Sequence, residues 1–573
     1  MSLLNRSPAS LRAGLPPMSG SLSYGAKPLW AVCLLSLWLA LVGNRALWQY
    51  FFALPEQAQA GMGALPFAIG LGLVIAFAIA ALLSLLAWPG VFKPVAVLLL
   101  VITASNTHFM LQYGTVIDST MLVNVLHTDA REVRDLLSPG LLITWALVML
   151  PPLFLLWRVP IGWRPLGSQL WRNLLTAVLA LAAAVGVALL VYQDMASLMR
   201  NHKSLRFMIN PLNTVYAGGK LLAQQLPHEA RVLRRVGEDA QLGPAYDGQA
   251  RPPLLVLVVG ETARAANFGL GGYARQTTPA LAQWQAGGDL VYFSDVTSCG
   301  TNTEVSVPCM FSPLSRQEQG PWTEGLLDVL QRAGLAVLWI DNQSGCKGAC
   351  DRVPNVSTAD LQLPALCEGG ECFDAALLAD LDTRLAALDP VRRAKGVVLV
   401  MHQMGSHGPA YFRRTPAEHK PFVPECASNT LSECPHEQLV NAFDNTIAYT
   451  DYFLGQTLQW LQKRAQDGGN DTGLIYVSDH GESLGENNLY LHGVPYAFAP
   501  TEQTHVPMVA WFSPGLQKRM GLGMDCLRKQ GAAPISHDHY FHTVLGLMDV
   551  KTQVYQRGLD ALAPCEGPRT TGP

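Results

Sequence analysis

The chain has 573 residues, of which 49% are hydrophobic and 14% charged, and carries a formal net charge of −3. That length exceeds one ordinary domain, and the charge is unevenly spread, with only ten Lys/Arg and six Asp/Glu through residue 195. No domain is strongly basic, so there is no electrostatic reason to expect nucleic acid.

Five apolar stretches, at roughly 29–52, 64–88, 91–110, 140–158 and 172–193, are long enough to cross a hydrocarbon core, which takes about 20 helical residues. Five crossings put the two ends on opposite sides. Arg6, Arg12 and Lys27 precede the first span, Lys93 separates the second from the third, and Arg158, Arg164 and Arg172 surround the connection from the fourth to the fifth. The positive-inside rule assigns these segments to the cytoplasm and the chain beyond the fifth span to the outer side. Arg131 and Arg134 then fall outside, with Asp129, Glu132 and Asp135 close enough in sequence to pair with them. Were the first span a signal peptide cleaved at Ala58-Gln59-Ala60, the C-terminal part would still occupy that side. Arg45 reads as a snorkelling interfacial residue.

Residues 195–250 turn polar, with Asn210-Pro211 as a breaker, and read as a bridge along the membrane surface. Beyond Pro253, β-rich runs at 254–259, 335–340, 397–401, 474–477 and 506–512 alternate with helical patterns such as 373–388 and 440–464. That alternation predicts an α/β domain. The expected organisation is a transmembrane bundle of five helices over 1–194, a bridge over 195–250 and a soluble α/β domain over 251–573.

Cysteine placement tests the topology independently, because disulfides persist outside the cytoplasm. Cys33 sits alone in the first span, and the other ten lie in the C-terminal half. Their spacing suggests the pairs Cys299–Cys309, Cys346–Cys350, Cys367–Cys372 and Cys426–Cys434, leaving Cys526 for Cys565. A structural zinc site is the rival, but the spacings lack a repeated Cys-x-x-Cys pair.

Open α/β sheets bind ligands at the carboxyl ends of their strands. Here those ends read Gly260-Glu261-Thr262 after LLVLVV, Ser478-Asp479-His480-Gly481-Glu482 after LIYV, and His402 through Pro409 after VVLVM. Taken singly, Glu261 or Asp479 is an ordinary turn residue. Taken together, two carboxylates and an imidazole form a mixed oxygen and nitrogen set that suits Zn²⁺, with Mn²⁺ as the main competitor. A hydroxyl from the cysteine-bracketed segment 298–309 would complete the set, and chemistry alone leaves Thr301, Thr303 and Ser306 open.

The ordered blocks Gly260-Glu261-Thr262-Ala263-Arg264, SCGTNTEVSVPCMFS from 298, DNQSGCKG from 341, SHGP from 406, DNTIAYTDYFL from 444 and SDHGESLGE from 478 resemble the phosphoethanolamine transferases. These are membrane members of the alkaline phosphatase and sulfatase superfamily. The five spans, NHKSLRFMINPLN from 201 and the cysteine pattern are similar too.

The resemblance implies Thr303 as nucleophile and Glu261, Thr303, Asp479 and His480 as ligands of one catalytic zinc. It further implies a substrate-phosphate site of Thr301, Gln343, Ser344, Lys347, His407, Glu482 and His492. His402, His407, His492 and His505 are candidates for a second zinc or for the acceptor phosphate. Asn106 to Met110, Tyr113, Asp118 and the NVLHTD stretch from 124 would meet a lipid headgroup, with His127 standing where relatives often carry an acidic residue.

The implied reaction takes phosphoethanolamine from phosphatidylethanolamine, releases diacylglycerol and delivers the group to lipid A or a core sugar of lipopolysaccharide. Its setting would be a bacterial inner membrane with the catalytic domain in the periplasm, the chain acting as a monomer among membrane lipids. Such a modification is of the kind that confers polymyxin resistance. The alternatives are a membrane-anchored sulfatase-like or phosphatase-like hydrolase, a phosphoglycerol transferase and, from a different class, a non-enzymatic adhesion domain.

Overall fold

The computed structural model describes residues 27–54, 63–128, 130–225, 233–316, 318, 323–361, 363–368 and 371–567. Arg6, Arg12, Ala58-Gln59-Ala60 and Asp129 lie outside them, as do the side chains of Arg131 and Glu132.

The N-terminal helices are α1 (Pro28–Leu41), α2 (Arg45–Ala53), α3 (Ala64–Leu85), α4 (Phe92–Tyr113), α5 (Ser119–His127), α6 (Ala130–Leu136), α7 (Pro139–Arg158), α8 (Leu166–Leu190), α9 (Tyr192–Asn201) and α10 (Leu212–Gln225). Among the described residues, α3, α4, α7 and α8 are each long and apolar enough to cross a membrane. The pair α1 and α2, bent by 43°, makes a fifth span when taken as one.

The bend has a local cause. A Cβ on Gly43 would come within 2.5 Å of Thr103 Cγ2 and 2.7 Å of Leu39 O, so the chain turns where only glycine fits against α4. Asn44 Nδ2 then donates to Leu39 O at 2.8 Å, satisfying a carbonyl at the helix break.

The Asn210-Pro211 breaker does more than interrupt a helix. Asn44 Nδ2 donates to Asn210 O and Asn210 N returns a bond to Asn44 Oδ1, both at 2.8 Å. Asn106 Nδ2 donates to Asn210 Oδ1 at 3.0 Å and to Thr214 Oγ1 at 2.7 Å. Thr107 donates to Gly43 O at 2.8 Å. Asn106 and Thr107, expected at a lipid headgroup, are buried in this network instead.

The C-terminal half is built on one sheet. Its strands are β1 (Pro253–Gly260), β2 (Leu290–Phe293), β3 (Ala336–Asp341), β4 (Asn355–Ser357), β5 (Val397–His402), β6 (Asp471–Ser478) and β7 (Met508–Phe512), in the order β2-β7-β6-β1-β5-β3-β4. Only β7 runs against its neighbours. Leu255, Leu257 and Val259 of β1 enter one apolar cluster, while Leu254, Val256 and Val258 enter the other. Both faces are covered, which is why the strands read as unbroken apolar runs.

The helix expected over 440–464 is α12 (His436–Gln466), named after α11 (Thr303–Met310). The pattern at 373–388 forms no single helix: a short 3₁₀ turn at Asp374–Leu378 gives way to a helix at Leu381–Ala386. Asp380 at φ 53° breaks it, and the Asp374 carboxylate is held by Asn342 Nδ2 at 2.8 Å and by the backbone N–H groups of Met404 and Gly405 at 2.8 and 3.0 Å. Packing toward the strand ends overrides helical periodicity here.

The two halves touch through specific polar contacts. Asp135, expected beside Arg131 and Arg134, gives its carboxylate to Arg413 at 2.8 Å and Arg414 at 2.9 Å. Tyr113 OH donates to Asn429 O at 3.2 Å, and Gln112 Nε2 to Ser432 Oγ at 2.6 Å.

Candidate active site

Strand register assembles the site. Gly260 lies opposite Ser478, Val259 opposite His402, and His402 opposite Asp341, so β1, β6, β5 and β3 end level with one another. The residues just past those ends, Glu261, Asp479 and His480, come together with potential ligand atoms all within 4.8 Å, and all are fully buried. The other three-residue cluster among the described residues, Cys299, Cys309 and Asp538, has both sulfurs in a disulfide.

Thr303 opens α11, whose first turn is fixed by Asn302: its Oδ1 accepts from Val305 N at 3.1 Å. Thr303 Oγ1 stands 3.1 and 3.2 Å from the two Glu261 oxygens and 3.4 Å from His480 Nε2. Thr301 and Ser306 point elsewhere. Thr301 donates to Val494 O at 2.7 Å, and the buried Ser306 hydroxyl has no hydrogen-bond partner. Of the three open hydroxyls, geometry puts Thr303 at the cluster.

The cluster can hold a cation. His480 Nδ1 is 2.9 Å from Gly481 O, which fixes Nδ1 as a donor and turns Nε2 toward Glu261 and Asp479, each 3.4 Å away. Asp479 Oδ1 accepts from the Thr262 and His480 backbone N–H groups at 3.2 and 2.8 Å, but its buried Oδ2 has no hydrogen-bond partner, nor has His402 Nε2. Burial and the Glu261 charge raise the Asp479 carboxyl to about 6. Burial works against charge on His480, yet Asp479 and Glu261 prevail and lift it to about 10. Glu261 is held well below its usual range: burial opposes this, and His480 outweighs it. Two carboxylates, a hydroxyl and an imidazole whose Nε2 would exchange its proton for a bound ion are a donor set that fits a divalent metal.

The remaining expected residues form two groups. Gln343, Ser344 and Lys347 line a cavity of about 640 Å³ that also takes in His127 and Glu304. Lys347 Nζ donates to Ser344 Oγ at 2.9 Å, and Gln343 Oε1 accepts from Ser344 N at 2.9 Å. On the other side, Glu482 accepts from Tyr411 OH at 2.5 Å and binds His492 Nδ1 at 2.9 Å. The His492 ring lies 4.4 Å from that of His480 and 5.5 Å from that of His407. Burial pushes Glu482 up to about 8 despite the tyrosine donor. His402 Nδ1 is 3.4 Å from Asp341, whereas His505 is committed to Ser294 O at 2.8 Å.

The ten cysteines of this half form the disulfides Cys299–Cys309, Cys346–Cys350, Cys367–Cys372, Cys426–Cys434 and Cys526–Cys565, and Cys33 is free.

Several positioning residues escape sequence reading. Buried His537 accepts from Cys299 N at 3.1 Å through Nδ1 and lies 3.0 Å from Ser478 O through Nε2, clamping the segment that leads to Thr303 to the end of β6. Burial lowers its pKa to about 3. Thr262, at φ 62°, donates to Glu261 Oε1 at 2.6 Å. His127 Nδ1 reaches Glu304 Oε1 at 2.8 Å, joining the membrane half to the residue after Thr303. Thr262 and Glu304 adjoin recognisable residues, but His537, Asp374 and Tyr411 sit in no ligand-like motif and gave no signal.

Two family descriptions match, the Sulfatase family over residues 253–550 and "Phosphoethanolamine transferase EptA/EptB" over residues 75–226. The phosphoethanolamine transferase EptA of Escherichia coli K12 is 42% identical over 486 residues, covering 82% of this chain and 85% of that protein. The phosphatidylethanolamine transferase Mcr-1 of Escherichia coli is 39% identical, covering 80% and 84%. The integral membrane lipooligosaccharide phosphoethanolamine transferase A of Neisseria meningitidis superposes with a TM-score of 0.87 at 38% identity, covering 94% of this chain and 99% of that one. The chain belongs to the phosphoethanolamine transferase family, as an inner-membrane enzyme whose catalytic half, on the sulfatase fold, lies in the periplasm.

Proposed function

We propose that this transferase takes phosphoethanolamine from phosphatidylethanolamine, holds it as a phosphoester on Thr303, and passes it to a phosphate of lipid A or to a core sugar. The supporting observation is Thr303 Oγ1, 3.1 to 3.4 Å from Glu261 and His480 at the start of a helix. In the first step the Thr303 oxygen bonds to phosphorus, the bond from phosphorus to the glycerol oxygen breaks, and diacylglycerol leaves with the proton. In the second, the acceptor oxygen displaces Thr303, which regains a proton.

Glu261, Asp479, His480 and Thr303 would hold a zinc ion, which when bound lowers the pKa of the hydroxyl and offsets charge on the phosphoryl oxygens. The protein's own groups do the positioning on which phosphoryl transfer depends. Lys347, braced on Ser344 beside Gln343, supplies positive charge from one side. His407 and His492 face from the other, with Glu482 and Tyr411 orienting His492. His402 is the candidate for a second zinc.

Residues 1–194 act as the membrane domain, 195–250 as the bridge and 251–573 as the catalytic domain of a monomer. Adding an ammonium group beside a lipid A phosphate cancels surface charge and weakens attraction of cationic peptides such as polymyxin.

The test is mass spectrometry of lipid A and core oligosaccharide from cells expressing the chain or its Thr303→Ala form. Added phosphoethanolamine only with the intact chain is expected. Its absence from both, with free phosphoethanolamine released to water, would favour a hydrolase.

A further inference from the structure

A cavity of about 1080 Å³, apolar in much of its wall and rimmed by basic side chains, opens among the cytoplasmic ends of the membrane helices. Its walls are residues 27–32 at the start of α1, the end of α3, residues 161–164 and the first turns of α8. Lys27, Arg164 and Arg172 line it, and among the described residues no Asp or Glu does. The sequence extends that asymmetry. Residues 86–93 and 159–172, which lie on this face, contain no carboxylate side chain.

The cavity is also a built one. Gln169 and Asn173 are buried in its wall, where Gln169 Nε2 donates to Asn173 Oδ1 and Asn173 Nδ2 donates to Ala87 O, both at 2.8 Å. Gln169 Oε1 accepts from the Arg164 backbone N–H at 3.4 Å, fixing the turn that carries the guanidinium. Trp163 anchors the same turn edge-on against Phe92, with ring centroids 6.3 Å apart. Leu175 and Leu179 continue the wall along α8 into the apolar layer.

We propose that this cavity binds the headgroup of an anionic phospholipid of the cytoplasmic leaflet. Guanidinium groups pair with phosphate through two parallel N–H bonds, and basic pockets on this side of a bundle suit acidic headgroups. The leucines of α8 offer a surface to the acyl chains that free phosphate lacks. Phosphatidylethanolamine carries an ammonium group that would face three cations, so it is disfavoured. The site is therefore separate from the active site, at the opposite membrane face, and stands independently of the donor proposed above.

Full-length protein in micelles carrying phosphatidylglycerol and phosphatidylethanolamine in equal amounts, with bound lipid counted by native mass spectrometry, tests the assignment. Preferential retention of phosphatidylglycerol is expected. The double variant Arg164→Gln/Arg172→Gln should weaken it by about thirtyfold, while Lys93→Gln, a cytoplasmic cation outside the cavity, should not. Thermal unfolding of the double variant checks that it is folded, and Lys27→Gln, a milder change outside the turn, should weaken retention in the same direction. Equal retention of the two lipids, displacement of phosphatidylglycerol by inorganic phosphate alone, or an equal loss in Lys93→Gln would each overturn the site.

Discussion

Two buried polar clusters, one in each half of this molecule, are satisfied in opposite ways. In the membrane half, Asn44, Asn106, Asn210 and Thr214 close on one another through bonds of 2.7 to 3.0 Å. In the catalytic half, Asp479 Oδ2 and His402 Nε2 are buried without a hydrogen-bond partner beside Glu261 and His480. A closed network holds chain segments together, whereas an open one is a place for a ligand. The difference separates structure from chemistry more sharply than residue type does, since both sets are polar and buried.

Substitutions can break that contrast. Thr303→Ala should leave the fold intact and lower transfer by roughly 10⁴-fold, because a nucleophile acts as a unit with its neighbours; lipid analysis of expressing cells reads it. Thr262→Val removes the donor to Glu261 and should weaken metal affinity by about 10–100-fold, measured by metal titration, with little loss of stability. Asn210→Ala should do the reverse. It removes the side-chain acceptor of Asn106 and the side-chain donor to Gly43 O, and should cost about 1–3 kcal/mol in thermal unfolding, with metal affinity unchanged.

The pH dependence sharpens the picture. The pKa of His537 is lowered to about 3 in the folded chain, so below its ordinary value the unfolded state takes up a proton that the folded state refuses. Stability from this group is complete above pH ~6.5 and is lost as pH falls toward 3, by up to about 1.4 kcal/mol per unit. In His537→Asn that part of the slope should vanish from unfolding measured across pH. The smallest effect belongs to His127, whose side chain is 57% exposed beside Glu304. Removing it as His127→Ala should shift unfolding by less than about 1 kcal/mol.

Legibility in the sequence follows the same division. Continuous apolar runs ending in Glu261 and Asp479-His480 were readable because a parallel sheet buried on both faces leaves a strong signal, and strand ends are where ligands gather. The spans were equally plain, except that Gly43-Asn44 bends the first one through contacts with α4 that no local pattern encodes. The pattern at 373–388 misled because the Asp374 carboxylate pins it to residues 342 and 404–405, far along the chain. His537 and Tyr411 were silent for the same reason, since each acts through one long-range contact. Choosing Thr303 over Thr301 and Ser306 needed either the family resemblance or the coordinates.

The central claim is that Thr303 carries the group in transit. Full-length protein incubated with phosphatidylethanolamine and no acceptor, then digested and sequenced by mass spectrometry, tests it most directly. A phosphoethanolamine adduct confined to Thr303 is the expected result, and an adduct on Ser306 or Thr301, or none while transfer proceeds, would contradict it.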